Sequence, residues 1–261
     1  MKVCTFASAS SGNCAFVSDG KTHILIDAGI SMKRIKASLA CVGLCPEDLT
    51  GILITHEHSD HIAGLNMLSK HYGIPVIASE ECAYGVIRAV PAAEKFISVF
   101  EAGREFDLRG LTVKSFRTPH DAPGSVGYTV QNGGSKFAYV TDFGSVTDEI
   151  VDAVMGAQMA VVESNHDIEM LRHGPYPPYL QRRILSGNGH LSNDDSGVFC
   201  TALVNSGARY IVLAHLSKDN NTPRLAYDTV AGTISECGAK TGRDMELEVA
   251  PRDMPGRMFE I

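Results

Sequence analysis

An α/β (α+β) fold is the class that this sequence predicts, and three observations lead to it. Short apolar runs rich in β-branched residues alternate with segments whose apolar residues recur at helical spacing. The elements follow the order strands, helices, strands, helices, which two successive αβ halves would produce. No low-complexity linker separates the halves, and 261 residues are enough for a full core. We therefore expect one domain over residues 1–261.

The predicted strands are short apolar runs that end at glycine or at polar residues. The loop between the first two strands, residues 8–13, is rich in small residues with hydrogen-bonding side chains. Two later strands flank Asn132-Gly133-Gly134 and are predicted to form a hairpin. In chain order the predicted strands are 3–7, 15–17, 24–27, 51–54, 75–78, two or three within 96–116, 126–130, 137–141, 159–163, 210–214 and 245–250.

The predicted helices are recognised by the spacing of their apolar residues and by capping residues at their starts. Ser31 and Ser79 are candidate N-caps, and Asp194 and Asp195 would lie in the first turn of a later helix, where acidic residues suit the helix dipole. The proline-containing stretch 164–189 is expected to be irregular or helical. In chain order the predicted helices are 30–42, 62–72, one beginning at residue 79, 147–155, 192–206 and 223–237.

Composition and charge exclude several classes of protein. No apolar run approaches the ~20 residues that a membrane-spanning helix needs. Seven cysteines without paired spacing, and an N-terminus unlike a signal peptide, favour reduced thiols and a cytoplasmic location. A net charge of −7 counts against a non-specific nucleic-acid binder with a broad basic face. It leaves a phosphodiester substrate possible, since bound divalent ions would add positive charge locally.

The pattern His56-x-His58-x-Asp60-His61 follows the predicted strand that ends at Ile54. In an extended segment, residues i and i+2 point the same way, so His56 and His58 can face one ion. Asp60 and His61 follow at the turn into a helix and can face a second ion nearby. This spacing favours a metal site, and the alternative is a solvated polar loop.

This spacing resembles the metal-binding motif of the metallo-β-lactamase superfamily. The resemblance implies a four-layer αββα sandwich, in which two mixed sheets pack together under helices, with a binuclear metal centre at one edge. Three further positions match the superfamily pattern in order, each at the end of a predicted strand: His120, Asp142 and His215. The resemblance implies that His120 joins His56 and His58 on one ion. It further implies that His215 joins Asp60 and His61 on the other and that Asp142 bridges both. Taken singly, each of the three could be a polar residue satisfied at a strand end.

Imidazole and carboxylate ligands suit Zn²⁺, Mn²⁺ and Fe, and the absence of thiolate ligands argues against a purely structural zinc site. Two such ions lower the pKa of bound water and stabilise charge that develops on phosphorus, so a bridging hydroxide is the expected nucleophile. Asp60 is a candidate for orienting that nucleophile. The expected cofactors are therefore two divalent ions, Zn or Mn, with Fe as a further option.

Candidate substrate residues lie between and beside these ligands. Asn165 and His166 follow a predicted strand and could touch phosphate or support the metal ligands, or they could simply form a capped loop end. His190, in the Gly-rich stretch that leads to Ser192 at a helix start, is a candidate phosphate contact or leaving-group acid, with a packing role as the alternative. Lys218 either overhangs the site or lies on a solvated loop. The remaining candidates are Ser11 and Asn13 in the first loop.

Taken together, these motifs resemble the YycJ (WalJ) family over nearly the whole chain. The segments that carry the resemblance are Ser10 to Cys14, His56 to His61, Pro119 to Asp121, Glu163 to Asp167, Gly189 to Ser192 and His215 to Lys218. The resemblance implies a cytoplasmic phosphodiesterase, related to ribonucleases Z and J, that acts as an exonuclease on DNA ends. The 72 residues between Asp142 and His215 are too few for the inserted domain of ribonuclease J-type enzymes, and the sequence has no Gly-rich basic arm of the ribonuclease Z kind, so structured RNA is the poorer expectation. Alternatives are a small-molecule (cyclic) phosphodiesterase, a glyoxalase-like thioesterase and a metal-stabilised sensor or binding module. The oligomeric state is not predicted.

Overall fold

Two seven-stranded mixed sheets carry the fold in the computed structural model, which describes residues 1–261. The first sheet has the order β14-β1-β2-β3-β4-β5-β6, with β3 to β6 parallel to one another and β1, β2 and β14 antiparallel to their neighbours. Its strands are β1 Lys2–Ala7, β2 Cys14–Ser18, β3 His23–Ile26, β4 Gly51–Leu53, β5 Val76–Ser79, β6 Ile97–Phe100 and β14 Phe259–Glu260.

The second sheet has the order β13-β12-β11-β10-β9-β8-β7, and β10 to β13 are parallel. The pairs β7–β8 and β9–β10 are antiparallel, and the β9–β10 hairpin closes through Gly133 and Gly134 as predicted. Its strands are β7 Glu105–Leu108, β8 Leu111–Arg117, β9 Val126–Asn132, β10 Ser135–Val140, β11 Met159–Glu163, β12 Tyr210–Ala214 and β13 Glu246–Val249.

Nine α-helices and two short 3-10 helices, Pro46–Asp48 and Pro91–Phe96, complete the chain. The side chains of Ser31, Ser79, Thr147 and Ser192 each accept a backbone N–H in the first turn of a helix, which satisfies donors that a helix start leaves open. None of the helices is long and apolar enough to cross a bilayer. The helices are α1 Met32–Cys41, α2 Ser59–Ile62, α3 Leu65–Tyr72, α4 Glu80–Ala89, α5 Asp148–Val154, α6 Ile168–His173, α7 Pro178–Ile184, α8 Asn193–Asn205 and α9 Pro223–Glu236.

One predicted helix differs from the structure, and one observed strand was not predicted. The helix expected over 62–72 is two helices, α2 and α3, and Asp60 and His61 lie inside α2 rather than at a turn before it. The break falls at Gly64, where the backbone N–H donates to the Ala28 carbonyl and a Cβ would lie 2.3 Å from the Ile30 carbonyl oxygen. The two-residue strand β14 was not predicted, because two residues are too few to show a period.

The chain divides into two compact units. One comprises Met1–Ser115, Ala122–Val126 and Pro251–Ile261, and the other comprises Phe116–Asp121 and Gly127–Ala250. Each has its own apolar core, which includes Phe6, Phe16 and Leu25 in the first unit and Phe143, Phe199 and Leu213 in the second. The expectation of one domain over residues 1–261 stays a prediction.

Candidate metal centre

In the second unit, candidate functional residues gather where three parallel strands end. Asp142 follows β10, Glu163 closes β11 and His215 follows β12. The register pairs Val140 with Val162 and Glu163 with Ala214, so these ends meet at one edge of the sheet. One donor atom each from Asp142, Glu163, His190 and His215 lies within 4.8 Å of the others. The parallel register therefore brings together a group that could hold a metal ion.

Glu163 is the acceptor at the centre of this group, and its side chain is fully buried. Its Oε1 accepts hydrogen bonds from Nδ1 of His190 and Nδ1 of His215, both at 2.8 Å. Its Oε2 accepts from the backbone N–H groups of Phe143 at 3.0 Å and Leu191 at 3.2 Å. Burial alone would raise the pKa of Glu163, but the two histidines outweigh it and hold the pKa well below its ordinary value. Glu163 is thus an ionised carboxylate that fixes the orientation of two imidazole rings.

His120 is held in a comparable way by a backbone carbonyl. Its Nδ1 lies 3.2 Å from the carbonyl oxygen of Gly189, which can only accept a hydrogen bond. Burial lowers the pKa of His120, which favours the neutral ring. The neighbouring Asp121 forms an ion pair with Arg183 of α7. The proton of His120 is therefore placed on Nδ1, and Nε2 carries the lone pair.

The motif histidines of the first unit lie beyond the end of β4. Its parallel neighbour β3 ends beside it, so Asp27 lies next to Thr55, and Thr55 donates to it through its backbone N–H at 2.9 Å and through its hydroxyl. Nδ1 of His61 lies 2.7 Å from Oδ2 of Asp27. Complete burial raises the pKa of Asp27, and its contact with His61 opposes the rise. Asp27 orients His61 as Glu163 orients His215.

The candidate ligands of this unit lie close together. The ring of His56 lies 4.7 Å from that of His58 and 4.0 Å from that of His61, between centroids. Nε2 of His61 lies 3.5 Å from Oδ2 of Asp60. Two ligands bound at 2.0–2.1 Å in a tetrahedral arrangement are separated by about 3.4 Å, so this distance fits a pair on one ion.

The donor chemistry of both units fits a divalent metal. Nδ1 of His61, His120 and His215 each faces a carboxylate or a carbonyl. Such contacts fix the tautomer and the ring direction of histidines that bind metal through Nε2. The carboxylates and buried neutral imidazoles present are ligands that Zn²⁺, Mn²⁺ and Fe accept. The chain therefore carries groups suited to divalent metal binding.

Three of these residues have a left-handed backbone. The φ angles are +62° for Asp27, +60° for Asp142 and +56° for His215, and each residue follows a parallel strand. Non-glycine residues adopt this region at a cost, and such strain clusters at functional sites. The sharp turn at each strand end redirects the chain directly after the sheet.

Apart from the half-buried His190, the sequence-predicted substrate residues fall into an exposed and a buried group. Ser11 and Lys218 are exposed, while Asn13, Asn165, His166 and Ser192 are buried. The Asn13 amide nitrogen lies 3.1 Å from His61 Nε2 and 3.3 Å from Asp60 Oδ2, and Asn165 donates to the His215 carbonyl at 2.8 Å. Both asparagines thus support candidate ligands, and their role in substrate binding stays a prediction.

The other two buried residues have different surroundings. Ser192 caps α8 by accepting from the Asp195 N–H. His166 is 1% exposed, neither of its ring nitrogens has a hydrogen-bond partner, and burial lowers its pKa to about 4. His166 is therefore held as a neutral ring inside the second unit.

Two functional carboxylates were missed from the sequence as supports for histidines. Asp27 ends the predicted strand 24–27, and Glu163 ends the predicted strand 159–163. The available signal was a carboxylate at the C-terminal end of a buried strand, the place where an open α/β sheet collects its functional groups.

Similar proteins identify the family and the fold of this chain. A family model described as a β-lactamase superfamily domain matches residues 22–216. The chain is 38% identical over 255 residues to exodeoxyribonuclease YycJ of Bacillus anthracis, covering 97% of this chain and 96% of that protein. It is 36% identical over 265 residues to exodeoxyribonuclease WalJ of Streptococcus pneumoniae, covering 100% and 98%. The crystal structure of the metallo-β-lactamase fold protein YhfI from Bacillus subtilis superposes with a TM-score of 0.71 over 98% of both chains at 16% identity, a likeness of fold.

These matches confirm the predicted αββα fold class, and the two relatives match this chain along almost its whole length. The chain belongs to the metallo-β-lactamase superfamily of hydrolases, in the branch that contains the YycJ and WalJ proteins.

Proposed function

We propose that the chain is a metal-dependent phosphodiester hydrolase that removes nucleotides from DNA ends. The observation that carries the proposal is the fully buried Glu163 carboxylate, which holds His190 and His215 at one strand edge. A metal-dependent phosphodiesterase needs imidazole rings that bind metal and a hydrogen-bond donor for the phosphate. Glu163 orients a ring for each purpose, His215 for the metal and His190 for the phosphate. The two full-length relatives named exodeoxyribonucleases support DNA as the substrate.

The proposed metal ligands are the seven residues of the superfamily pattern. His56, His58 and His120 would hold one ion; Asp60, His61 and His215 would hold the other; and Asp142 would contact both. Zn and Mn are the proposed ions, with Fe as a further option. When bound, they would supply a hydroxide at neutral pH and offset negative charge on the phosphate.

His190 is the proposed contact to the phosphate or the leaving oxygen. Its side chain is 20% exposed, and its Nδ1 is bonded to Glu163. The second ring nitrogen therefore donates when the ring is protonated, and the Glu163 carboxylate stabilises that charge. Such a donor would stabilise the departing oxygen, which is general acid catalysis.

Asp60 is the proposed group that orients the nucleophile. Its carboxylate is 21% exposed and lies beside His61, so it can accept a hydrogen bond from an attacking oxygen. Ser11 and Lys218, which are exposed, are the proposed direct contacts to substrate. Asn13, Asn165, His166 and Ser192, which are buried, would act by positioning the loops that surround the substrate.

A DNA end, rather than a long duplex or structured RNA, suits the charge of the chain. A net charge of −7 leaves little basic surface for binding along a duplex, whose affinity depends on many phosphate contacts. An end can instead be held by a few local contacts. All seven cysteines are free thiols, which is consistent with the proposed cytoplasmic location.

The test is turnover by metal-stripped protein reloaded with Zn²⁺ or Mn²⁺. The substrates are end-labelled duplex DNA, single-stranded DNA, RNA, bis(4-nitrophenyl) phosphate and a glutathione thioester. We expect metal-dependent release of nucleotides from DNA ends. Turnover of the thioester alone would replace the proposal with a glyoxalase-like activity.

A variant separates this proposal from contaminating nuclease activity. Asp142→Ala removes the proposed shared ligand and should lower kcat/KM by more than the roughly 100-fold seen when a hydrogen-bond partner of a metal ligand is lost. Full activity in this variant would contradict the proposed ligand set. Circular dichroism of the variant checks that the fold is retained.

A further inference from the structure

A pocket lies in the first unit, and one of its lining residues belongs to the histidine motif. Its volume is about 400 Å³, and its lining residues are Glu57, Glu81, Tyr84, Gly85, Arg88 and Pro123. Glu57 is the residue between His56 and His58, so the pocket begins one residue away from two candidate metal ligands. None of its other lining residues has a role in the proposed reaction.

One face of α4 forms most of the pocket. Glu81, Tyr84, Gly85 and Arg88 are spaced i, i+3, i+4 and i+7, so they lie along the same side of the helix. Gly85 leaves room for Glu57, because a Cβ at this position would lie 2.6 Å from Cγ of Glu57. Glu57 can therefore line the pocket only because residue 85 is a glycine and has no Cβ.

The opposite wall is the segment that contains Pro123, and it is fixed to the start of α4. The hydroxyl of Ser79, the N-cap of α4, donates to the Gly124 carbonyl at 2.6 Å. Gly124 has a φ of +66° and packs against the first turn of the helix, with no room for a side chain. The segment that contains Pro123 is thus joined to the start of α4 by a hydrogen bond and by close packing.

The groups in the pocket have the chemistry of a nucleobase site. The Tyr84 ring is 70% exposed although it is aromatic, and Arg88 is exposed one turn further along α4. Oε2 of Glu57 is shielded from solvent and has no hydrogen-bond partner in the chain. The Glu57 side chain is nevertheless only half-buried and lines the pocket, and a carboxylate only accepts hydrogen bonds, so a donor on a ligand would pair with it.

We infer that this pocket binds a nucleobase of the DNA substrate, one that carries an exocyclic amine. The inference rests on the proposed function. The base would stack on Tyr84, as bases do on exposed aromatic rings in proteins that bind single strands. Glu57 would accept from the amine, as acidic side chains accept from N4 of cytosine. Arg88 would contact the base face or the adjoining phosphate. Thymine has no exocyclic amine, so it binds more weakly here.

The first experiment uses the absence of tryptophan from the sequence. Tyr84→Trp places a single fluorescent reporter in the pocket of the metal-loaded protein, and Tyr179→Trp is the matched control, since Tyr179 is 69% exposed on α7. The probes are dCMP, dTMP and 2-deoxyribose 5-phosphate. We expect dCMP to quench Tyr84→Trp at concentrations about 10-fold lower than dTMP does, and deoxyribose phosphate not to quench it. Equal quenching of the two variants, or by dCMP and dTMP alike, would overturn the inference.

The second experiment measures cleavage of oligodeoxycytidylate and oligothymidylate. Tyr84→Ala should raise KM for oligodeoxycytidylate by roughly 5- to 150-fold, the loss expected for one stacked base, whereas Tyr179→Ala should not. Glu57→Gln should reduce the ratio of kcat/KM for oligodeoxycytidylate to kcat/KM for oligothymidylate. Because both values come from the same variant, this ratio does not depend on the variant's overall activity. An unchanged KM in Tyr84→Ala, or an unchanged ratio in Glu57→Gln, would contradict the inference. If nucleotides quench Tyr84→Trp but the wild-type protein cleaves no DNA, the nuclease proposal is refuted and the pocket assignment stands.

Discussion

Replacing Glu163 with glutamine tests the arrangement on which the proposed site depends. The carboxylate accepts four hydrogen bonds: two from the rings of His190 and His215 at 2.8 Å, and two from backbone N–H groups. Glutamine has the same shape, but one of its two terminal groups is an NH₂ that can only donate. Whichever way the amide is turned, two of the four N–H groups that Glu163 accepts from would face the NH₂ group of the glutamine, which cannot accept.

The expected loss of stability follows from this count. A buried polar group left unsatisfied costs about 1–3 kcal/mol, so two of them cost roughly 2–6 kcal/mol. The histidines can avoid the clash by moving their protons from Nδ1 to Nε2, and this would remove the lone pair that a metal ion needs. Glu163→Gln therefore lowers the free energy of unfolding, weakens metal binding by about 10–100-fold, or does both.

The assays are urea unfolding at pH 7.5, without and with metal, and competition for Zn²⁺ against a coloured chelator. Glu236→Gln, at the exposed end of α9, is the control and should shift stability by less than about 0.5 kcal/mol. If Glu163→Gln matched this control in stability and kept wild-type metal affinity, the role assigned to the carboxylate would be refuted.

Three further predictions follow from other parts of the structure. His166→Leu removes a buried ring whose pKa is lowered to about 4. Because the ring is protonated in the unfolded chain but stays neutral in the folded one, the wild type should lose about 2 kcal/mol of unfolding free energy between pH 7 and pH 5. The variant should lose less in urea unfolding over the same range, and an equal pH dependence of the unfolding free energy in the two proteins would contradict this. Gly29→Ala would place a Cβ 1.6 Å from the Asp60 carbonyl oxygen, so we expect a loss of about 3 kcal/mol or more in thermal unfolding. A Cβ at Gly232, which lies within α9, would contact nothing, so Gly232→Ala should stabilise the protein by about 0.5–1 kcal/mol. Similar changes in stability for Gly29→Ala and Gly232→Ala would refute the steric argument. One domain over residues 1–261 predicts a single transition with equal calorimetric and van't Hoff enthalpies, and two transitions would show that the units unfold separately.

Local sequence signals predicted most of the secondary structure because they act within a few residues. Ser79 and Ser192 were identified as helix starts, and both cap a helix through bonds that span three residues. The strands 159–163 and 210–214 agree with β11 and β12 at both ends, since each is a short apolar run between polar segments. The single helix expected over 62–72 was wrong because the break at Gly64 is set by contacts with Ala28 and Ile30, which lie more than 30 residues away in the chain.

The sequence by itself determined which residue types stand at which strand ends, and with them the superfamily. The spacing from His56 to His61 indicated a metal site, and His120, Asp142 and His215 were predicted as ligands because they match the superfamily pattern at the ends of predicted strands. Only the tertiary structure decided which carboxylates hold which histidines. Asp27 reaches His61 because β3 lies parallel to β4, and Glu163 reaches His215 because β11 lies parallel to β12. These pairs are separated by 34 and 52 residues, and strand register, a property of the folded sheet, fixes the contact.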